Sequence, residues 1–135
     1  MKAKFLFIFT SIIVLATSCK KYPDGPALSF RSRTARVTNT WKVQQAMKNT
    51  TDITSTFTNI SYTETYDSKG NYSYNSTAGS GSGKWEFINN DDGIRRSGVS
   101  SQPTLDLTIL KLKESSFWYK YVNGGDTYEI HLESN

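Results

Sequence analysis

From about Thr40 to the last residues, apolar and aromatic side chains return at every second position, and this period of two constrains the chain more than any other feature. A strand turns successive side chains to opposite faces, whereas a helix needs spacings of three and four, so the pattern predicts a series of half-buried strands. In the first, Trp41, Val43 and Met47 share a face opposite Lys42, Gln44 and Lys48. Tyr62 and Tyr66 alternate with Thr63 and Thr65, and Tyr72 and Tyr74 follow the turn Asp67-Ser68-Lys69-Gly70, which predicts a hairpin. Trp85 and Phe87 alternate with Lys84 and Glu86 before the turn Asn89-Asn90-Asp91-Asp92-Gly93. Ile94 to Gly98 reads as a short, polar, edge-like strand. Leu105, Leu107 and Ile109 share one face but Leu110 and Leu112 fall on the other, so a bulge near Ile109 is needed to restore the register. Phe117, Tyr119 and Tyr121 alternate with Trp118, and Asn123-Gly124-Gly125-Asp126 reverses the chain into Tyr128, Ile130 and Leu132. Such a meander exposes two edges unless it closes on itself. The expected fold is all-β, an antiparallel up-and-down barrel of about eight strands over 39–135.

What precedes the barrel reads as export machinery. Lys2 and Lys4 form a positive start, and Phe5 to Leu15 is apolar except for Thr10 and Ser11. As a helix that run covers roughly 16 Å, short of the ~30 Å hydrocarbon core, so residues 1–18 are expected to be a cleaved signal peptide. The sole cysteine, Cys19, follows directly in Leu15-Ala16-Thr17-Ser18-Cys19. One cysteine cannot form an internal disulfide, so the fold must stand on its own packing. Lys20-Lys21-Tyr22-Pro23-Asp24-Gly25-Pro26 has no apolar period and reads as a tether. Ala27 to Thr38, with Leu28, Ala35 and Val37 among polar residues, suits a short helix capping one barrel end, so 19–38 is assigned to Cys19, tether and cap.

The leader resembles the lipobox of bacterial lipoproteins, with Ala16 where Leu is usual and Leu15 one step earlier. That resemblance implies lipidation of Cys19, which becomes the mature N-terminus and the membrane contact; two or three acyl chains hold firmly where one holds marginally. In the domain itself, Arg36-Val37-Thr38-Asn39-Thr40-Trp41-Lys42-Val43, Gly83-Lys84-Trp85-Glu86-Phe87, Leu107-Thr108-Ile109-Leu110-Lys111-Leu112-Lys113 and Phe117-Trp118 together resemble the small lipocalin-like lipoproteins of Bacteroidetes. Lipocalins proper carry Gly-x-Trp on the first strand, with the Trp closing the barrel floor; Trp41 matches, and Asn39 stands where the Gly is expected. In Bacteroidetes-type lipoproteins an acidic run after the cysteine accompanies surface export. Only Asp24 is acidic here, so the resemblance implies the outer membrane, with the periplasmic face favoured over the cell surface.

Several functions are disfavoured by the residues themselves. The formal charge of +4 falls to +2 once Lys2 and Lys4 leave with the leader, and Arg31, Arg33 and Arg36 are too local to track a phosphate backbone, so no nucleic acid partner is expected. The only histidine, His131, lies between Glu129 and Glu133 out of phase with the apolar residues, and it reads as solvent-facing with no nucleophile to serve. One His and a lipidated Cys leave no nitrogen and sulfur set for a metal, and no cofactor is expected. Gly79-Ser80-Gly81-Ser82-Gly83-Lys84 lacks the first Gly and the Ser or Thr of a phosphate loop, because Ala78 and Trp85 occupy those places; it reads as a flexible loop or rim. Asn89 to Gly93 fails the calcium-loop pattern at Ile88 and lacks its closing Glu. Asp91 and Asp92 are adjacent and point different ways, which does not suit a two-carboxylate hydrolase. The chain is not expected to be an enzyme.

The remaining chemistry is aromatic. An eight-stranded barrel is wide enough to be filled by its own side chains or to hold one small ligand. Two readings follow. In one, Trp41, Tyr62, Tyr72, Tyr74, Trp85, Phe87, Tyr119 and Tyr128 wall a site for a small apolar or amphipathic ligand, with an internal pocket among Tyr72, Trp85 and Tyr119. In the other, the rings fill the core and the loops serve a protein or glycan partner in the cell envelope. The anchor assignment carries its own test: Cys19→Ser is expected to move the protein out of the membrane fraction on cell fractionation, and retention there counts against lipidation.

Overall fold

In a computed structural model the described residues are 30–135. The leader, Cys19, the whole tether over 20–26 and the first residues of the expected cap, 27–29, lie outside them. The elements are a helix α1 (Arg33–Val37), strands β1 (Asn39–Lys48) and β2 (Thr51–Asp52), a helix α2 (Thr54–Thr58), and strands β3 (Thr63–Tyr66), β4 (Asn71–Ser76), β5 (Gly79–Ile88), β6 (Gly93–Ser97), β7 (Leu105–Leu112), β8 (Ser116–Asn123) and β9 (Asp126–Ser134). Sequential antiparallel pairing runs from β3 through to β9, β1 pairs with β3, and β1 also pairs with β9 from Trp41↔Ser134 to Lys48↔Tyr128. The last contact removes both edges and produces a closed, eight-strand, up-and-down barrel. The two-residue β2 is an appendage on the far end of β1.

One pole of the barrel carries α1 and the β3–β4, β5–β6 and β7–β8 turns. It is sealed. Ser32 caps α1 by accepting the Ala35 N–H at 3.1 Å. Val37 is buried and its carbonyl accepts the Trp41 indole N–H at 2.9 Å, while Arg36 donates to the Leu112 carbonyl at 2.9 Å. Trp41 therefore closes the floor even though Asn39 replaces the glycine. The Asn39 side chain spends its polar groups on the seam, donating to Ser134 Oγ and accepting the Thr40 N–H, both at 2.8 Å.

The inner face follows the predicted parity with three corrections. The bulge near Ile109 is present: the β7–β8 register shifts between Ile109 and Lys111, so that Leu107, Ile109 and Leu112 are all buried. A second bulge, between Val43 and Gln45, was not foreseen. It hands the inward position to Ala46, so Met47 leaves the face of Trp41 and Val43 and lies half-buried on the outer side with Gln45. The stretch Ile94 to Gly98 is not an edge: β6 pairs with β5 and β7, burying Ile94 and Arg96.

The third correction concerns Gly79 to Gly83, which form the first half of β5 and not a flexible loop. The glycines there make room. A Cβ on Gly81 would lie 2.6 Å from the Tyr74 ring, and one on Gly83 would lie 2.3 Å from the Ser97 carbonyl and 2.8 Å from Val99 Cγ2. The contact at Gly83 is with backbone, which cannot swing aside. Gly83→Ala is accordingly expected to destabilise the protein by about 1 to 3 kcal/mol in denaturant unfolding, whereas exposed Ser82→Ala should stay within about 0.5 kcal/mol.

Candidate functional site

Tyr62, Glu64 and Tyr66 sit two residues apart, so a strand that turns the tyrosines inward carries the carboxylate with them. The same parity on β6 brings Arg96 in behind Ile94. Glu64 and Arg96 meet at 2.9 Å inside the barrel, exposed by only 2% and 7%. Both carboxylate oxygens are occupied: Oε1 accepts from Arg96 Nη1, from the Tyr119 hydroxyl at 2.8 Å and from the Tyr62 hydroxyl at 3.1 Å, and Oε2 accepts from the Tyr66 hydroxyl at 2.9 Å. Arg96 Nη1 also reaches the Tyr72 and Tyr66 hydroxyls at 3.0 and 3.3 Å, and the guanidinium lies 4.7 Å from the Tyr72 ring centroid and 5.5 Å from that of Tyr119.

This cluster draws on β3, β4, β6 and β8 and fills the midsection of the barrel. Below it, towards the sealed pole, Tyr66 touches Tyr72, Trp85 and Phe117 with centroids 5.1, 5.9 and 5.7 Å apart, and Trp41 packs on Phe117 at 5.8 Å. Tyr72, Trp85 and Tyr119 keep 2%, 6% and 1% of their surface, so they pack closely against their neighbours.

The opposite pole is different. Ile53, Phe57, Tyr62, Tyr74, Leu105, Tyr121 and Tyr128 are only partly buried against the core. Phe57 on α2 meets Tyr62 edge-on at 5.3 Å, Tyr62 stacks on Tyr74 at 5.8 Å, and Tyr121 stacks on Tyr128 at 5.0 Å. Here the barrel wall also parts. The β7–β8 ladder ends at Thr108↔Lys120, although β7 extends back to Leu105 and β8 extends on to Asn123. The divergence leaves a cavity of about 520 Å³ lined by Thr104, Leu105, Asp106, Thr108, Lys120, Tyr121, Val122 and Thr127. Leu105 and Tyr121 belong to the inward-facing set, whereas Thr104, Asp106, Thr108, Lys120, Val122 and Thr127 are exposed, so the cavity is an open cleft on the outer side of the β7–β8 gap. A second cavity of about 480 Å³, bordered by Thr65, Asp67, Asn71, Tyr72, Ser73, Ser82, Gly83, Lys84 and Gly98, is an open groove along β3–β5.

The sequence-predicted residues thus separate into three levels. Trp41, Trp85 and Phe87 belong to the sealed pole, Tyr72 and Tyr119 to the midsection, and Tyr62, Tyr74 and Tyr128 to the mouth. Sequence reasoning passed over Glu64, Arg96, Leu105 and Tyr121 as site residues. For Glu64 the signal was present, in its equal spacing from two inward tyrosines. His131 lies on the outer face, where its ring stacks on Trp118 at 3.9 Å and 5°, Nε2 meets Glu129 Oε1 at 2.7 Å, and Lys111 Nζ stands 3.7 Å from the Trp118 ring centroid. Among the described residues, no group of three or more His, Cys, Asp or Glu could hold a metal ion. No protein-family model matches the chain, and no curated protein matches it.

Burial, reinforced by the negative charge of Glu64, raises the hydroxyls of Tyr62, Tyr66, Tyr72 and Tyr119 above the ordinary tyrosine range, and burial pushes Tyr121 up to about 12. A folded-state value above the unfolded one leaves stability intact below the unfolded value of about 10 and removes it as pH rises beyond, by about 1.4 kcal/mol per pH unit for each phenol. The barrel is therefore expected to unfold cooperatively above about pH 10, with tyrosinate absorbance and loss of β circular dichroism rising together. Full ionisation of the tyrosines with the β signal unchanged would contradict the buried network.

Proposed function

We propose that this chain is a non-catalytic, lipocalin-like binding protein, anchored at Cys19 to the outer membrane, that takes a small amphipathic ligand at its mouth and not in its depth. The observation that supports the reading is the cleft between β7 and β8, where Leu105, Tyr121 and Val122 offer apolar surface, Thr104, Thr108 and Thr127 offer hydroxyls, and Asp106 and Lys120 add one charge of each sign around about 520 Å³. That volume lies within the roughly 300 to 1,000 Å³ of small-molecule sites, and the mixture of apolar body and polar fringe suits an amphipath. The Glu64–Arg96 cluster sets the lower limit of the site, because the barrel is packed beneath it. Half-buried tyrosines suit a ligand wall: the ring supplies contact area and the hydroxyl keeps a polar partner. The leader and tether, which lie outside the described residues, support the periplasmic face through their resemblance to those of bacterial lipoproteins.

The test is native mass spectrometry of the secreted chain carrying Cys19→Ser. A small molecule is expected to co-purify at one per chain, and Leu105→Trp, which fills the cavity, should remove it while leaving the circular dichroism of the barrel unchanged. An adduct that persists in Leu105→Trp places the ligand elsewhere. Absence of any adduct, together with a co-purifying envelope protein, favours the reading in which a filled barrel serves a macromolecular partner.

A further inference from the structure

Beyond Thr108↔Lys120 the wall of the barrel holds two strand edges that face each other without pairing. In an antiparallel strand one residue turns both of its backbone polar groups to one side, and the next residue turns them to the other. The Ile109 N–H donates at 2.9 Å to the Asp92 carbonyl, on the β6 side, so Leu107 and Leu105 also serve β6 while Thr108 and Asp106 point at β8. Asn123 and Asp126 flank the two-residue turn Gly124-Gly125, so Asn123 and Tyr121 serve β9 while Lys120 and Val122 point at β7. Thr108 and Lys120 satisfy each other. Asp106 and Val122, one alternation further on, each turn an N–H and a carbonyl into the cleft and pair with no described strand there. Side chains follow the same alternation, with Leu105 and Tyr121 inward and Asp106, Lys120 and Val122 exposed on the outside. The two charges differ in availability: Arg95 holds Asp106 through hydrogen bonds of 2.7 and 2.8 Å, whereas Lys120 makes no hydrogen bond or ion pair with a described residue.

We infer that the ligand of this cleft is a short peptide segment of alternating apolar and acidic residues, which enters as an extended strand. The inference rests on the cleft being the binding site and names what it takes. An extended backbone presents donor and acceptor at the spacing of a strand edge, and strand addition to a free edge is a general mode of peptide capture. An alkyl chain laid in the same place strips water from the Asp106 and Val122 backbone and returns no hydrogen bond. The unpaired stretches, Leu105–Leu107 and Tyr121–Asn123, limit the contact to about 10 Å of strand. A strand paired there alternates its side chains across the wall, so inward ones meet Leu105 and Tyr121 and outward ones stand beside Lys120. With Asp106 already held by Arg95, the charge left to a partner on the outer side is that of Lys120, and it favours a carboxylate.

The probe is acetyl-Leu-Glu-Leu-Thr-amide, titrated calorimetrically at neutral pH and low salt into the secreted full chain carrying Cys19→Ser. Two matched peptides accompany it: one with methylated backbone nitrogens, which keeps the side chains and loses the donors, and one with Lys in place of Glu. The parent peptide is expected to bind one per chain, and the methylated one about 10-fold more weakly. The lysine peptide should bind about fivefold more weakly, a difference that fades as salt is added. Lys120→Glu should invert that charge preference, and Leu105→Trp should abolish binding. Equal binding of the methylated peptide, still lost in Leu105→Trp, overturns strand addition and leaves the cleft as a site. Equal or tighter binding of the lysine peptide overturns the acidic preference. Binding that survives Leu105→Trp overturns both the inference and the cleft. Failure of all three peptides at millimolar concentration overturns the inference, and the cleft is then judged by the co-purifying adduct and its loss in Leu105→Trp. The peptide comparisons leave the protein unaltered, so they decide even where Leu105→Trp does not fold.

Discussion

A carboxylate and a guanidinium 2.9 Å apart, withdrawn from water inside a barrel, determine what the rest of the interior has to be. Desolvating such a pair costs several kcal/mol per ion, and mutual attraction offsets this only when the remaining lone pairs and protons also find partners. Phenols meet that need while still behaving as core. Tyr62, Tyr66 and Tyr119 donate to Glu64, and the Tyr72 ring and hydroxyl both face Arg96. The abundance of tyrosine in the strands is thus a requirement of the ion pair, and a core of leucine and phenylalanine in its place would leave both charges under-solvated. Because the cluster ties β3, β4, β6 and β8 together, a slip of any of these strands by one residue turns its contribution out to solvent, so the polar centre also fixes register.

Above and below this layer the barrel obeys different demands. The sealed pole is a conventional ring-packed core, with Trp41 and Phe117 fully buried and α1 laid across the end. At the mouth the wall opens: beyond Thr108↔Lys120 β7 and β8 no longer pair, and a cleft of about 520 Å³ lies along them. A chain with one cysteine has no internal disulfide to compensate for such an opening. The fully buried side chains concentrate in the lower two layers, and the upper one is only partly buried.

Much of the barrel was legible because parity is a local property. Eight staves, the hairpin at Asp67–Gly70 and the bulge near Ile109 all follow from where apolar residues change phase. The bulge at Val43–Gln45 was not legible, since neither Ala46 nor Met47 is polar and either satisfies an inward position. Arg96 was hidden for a related reason: in Gly93-Ile94-Arg95-Arg96-Ser97 a single apolar residue cannot set a phase, and the strand looked like an edge. Gly79 to Gly83 misled because their composition is that of a linker, whereas the need for glycine comes from the Tyr74 ring and the Ser97–Val99 backbone, far away in sequence. The cavity itself follows from where a ladder ends, which no single strand encodes.

The described chain joins the barrel through α1, on the pole that Trp41 and Val37 close. The chain therefore enters the barrel at its closed end, and the pole at which the β7–β8 ladder stops lies on the far side from that entry.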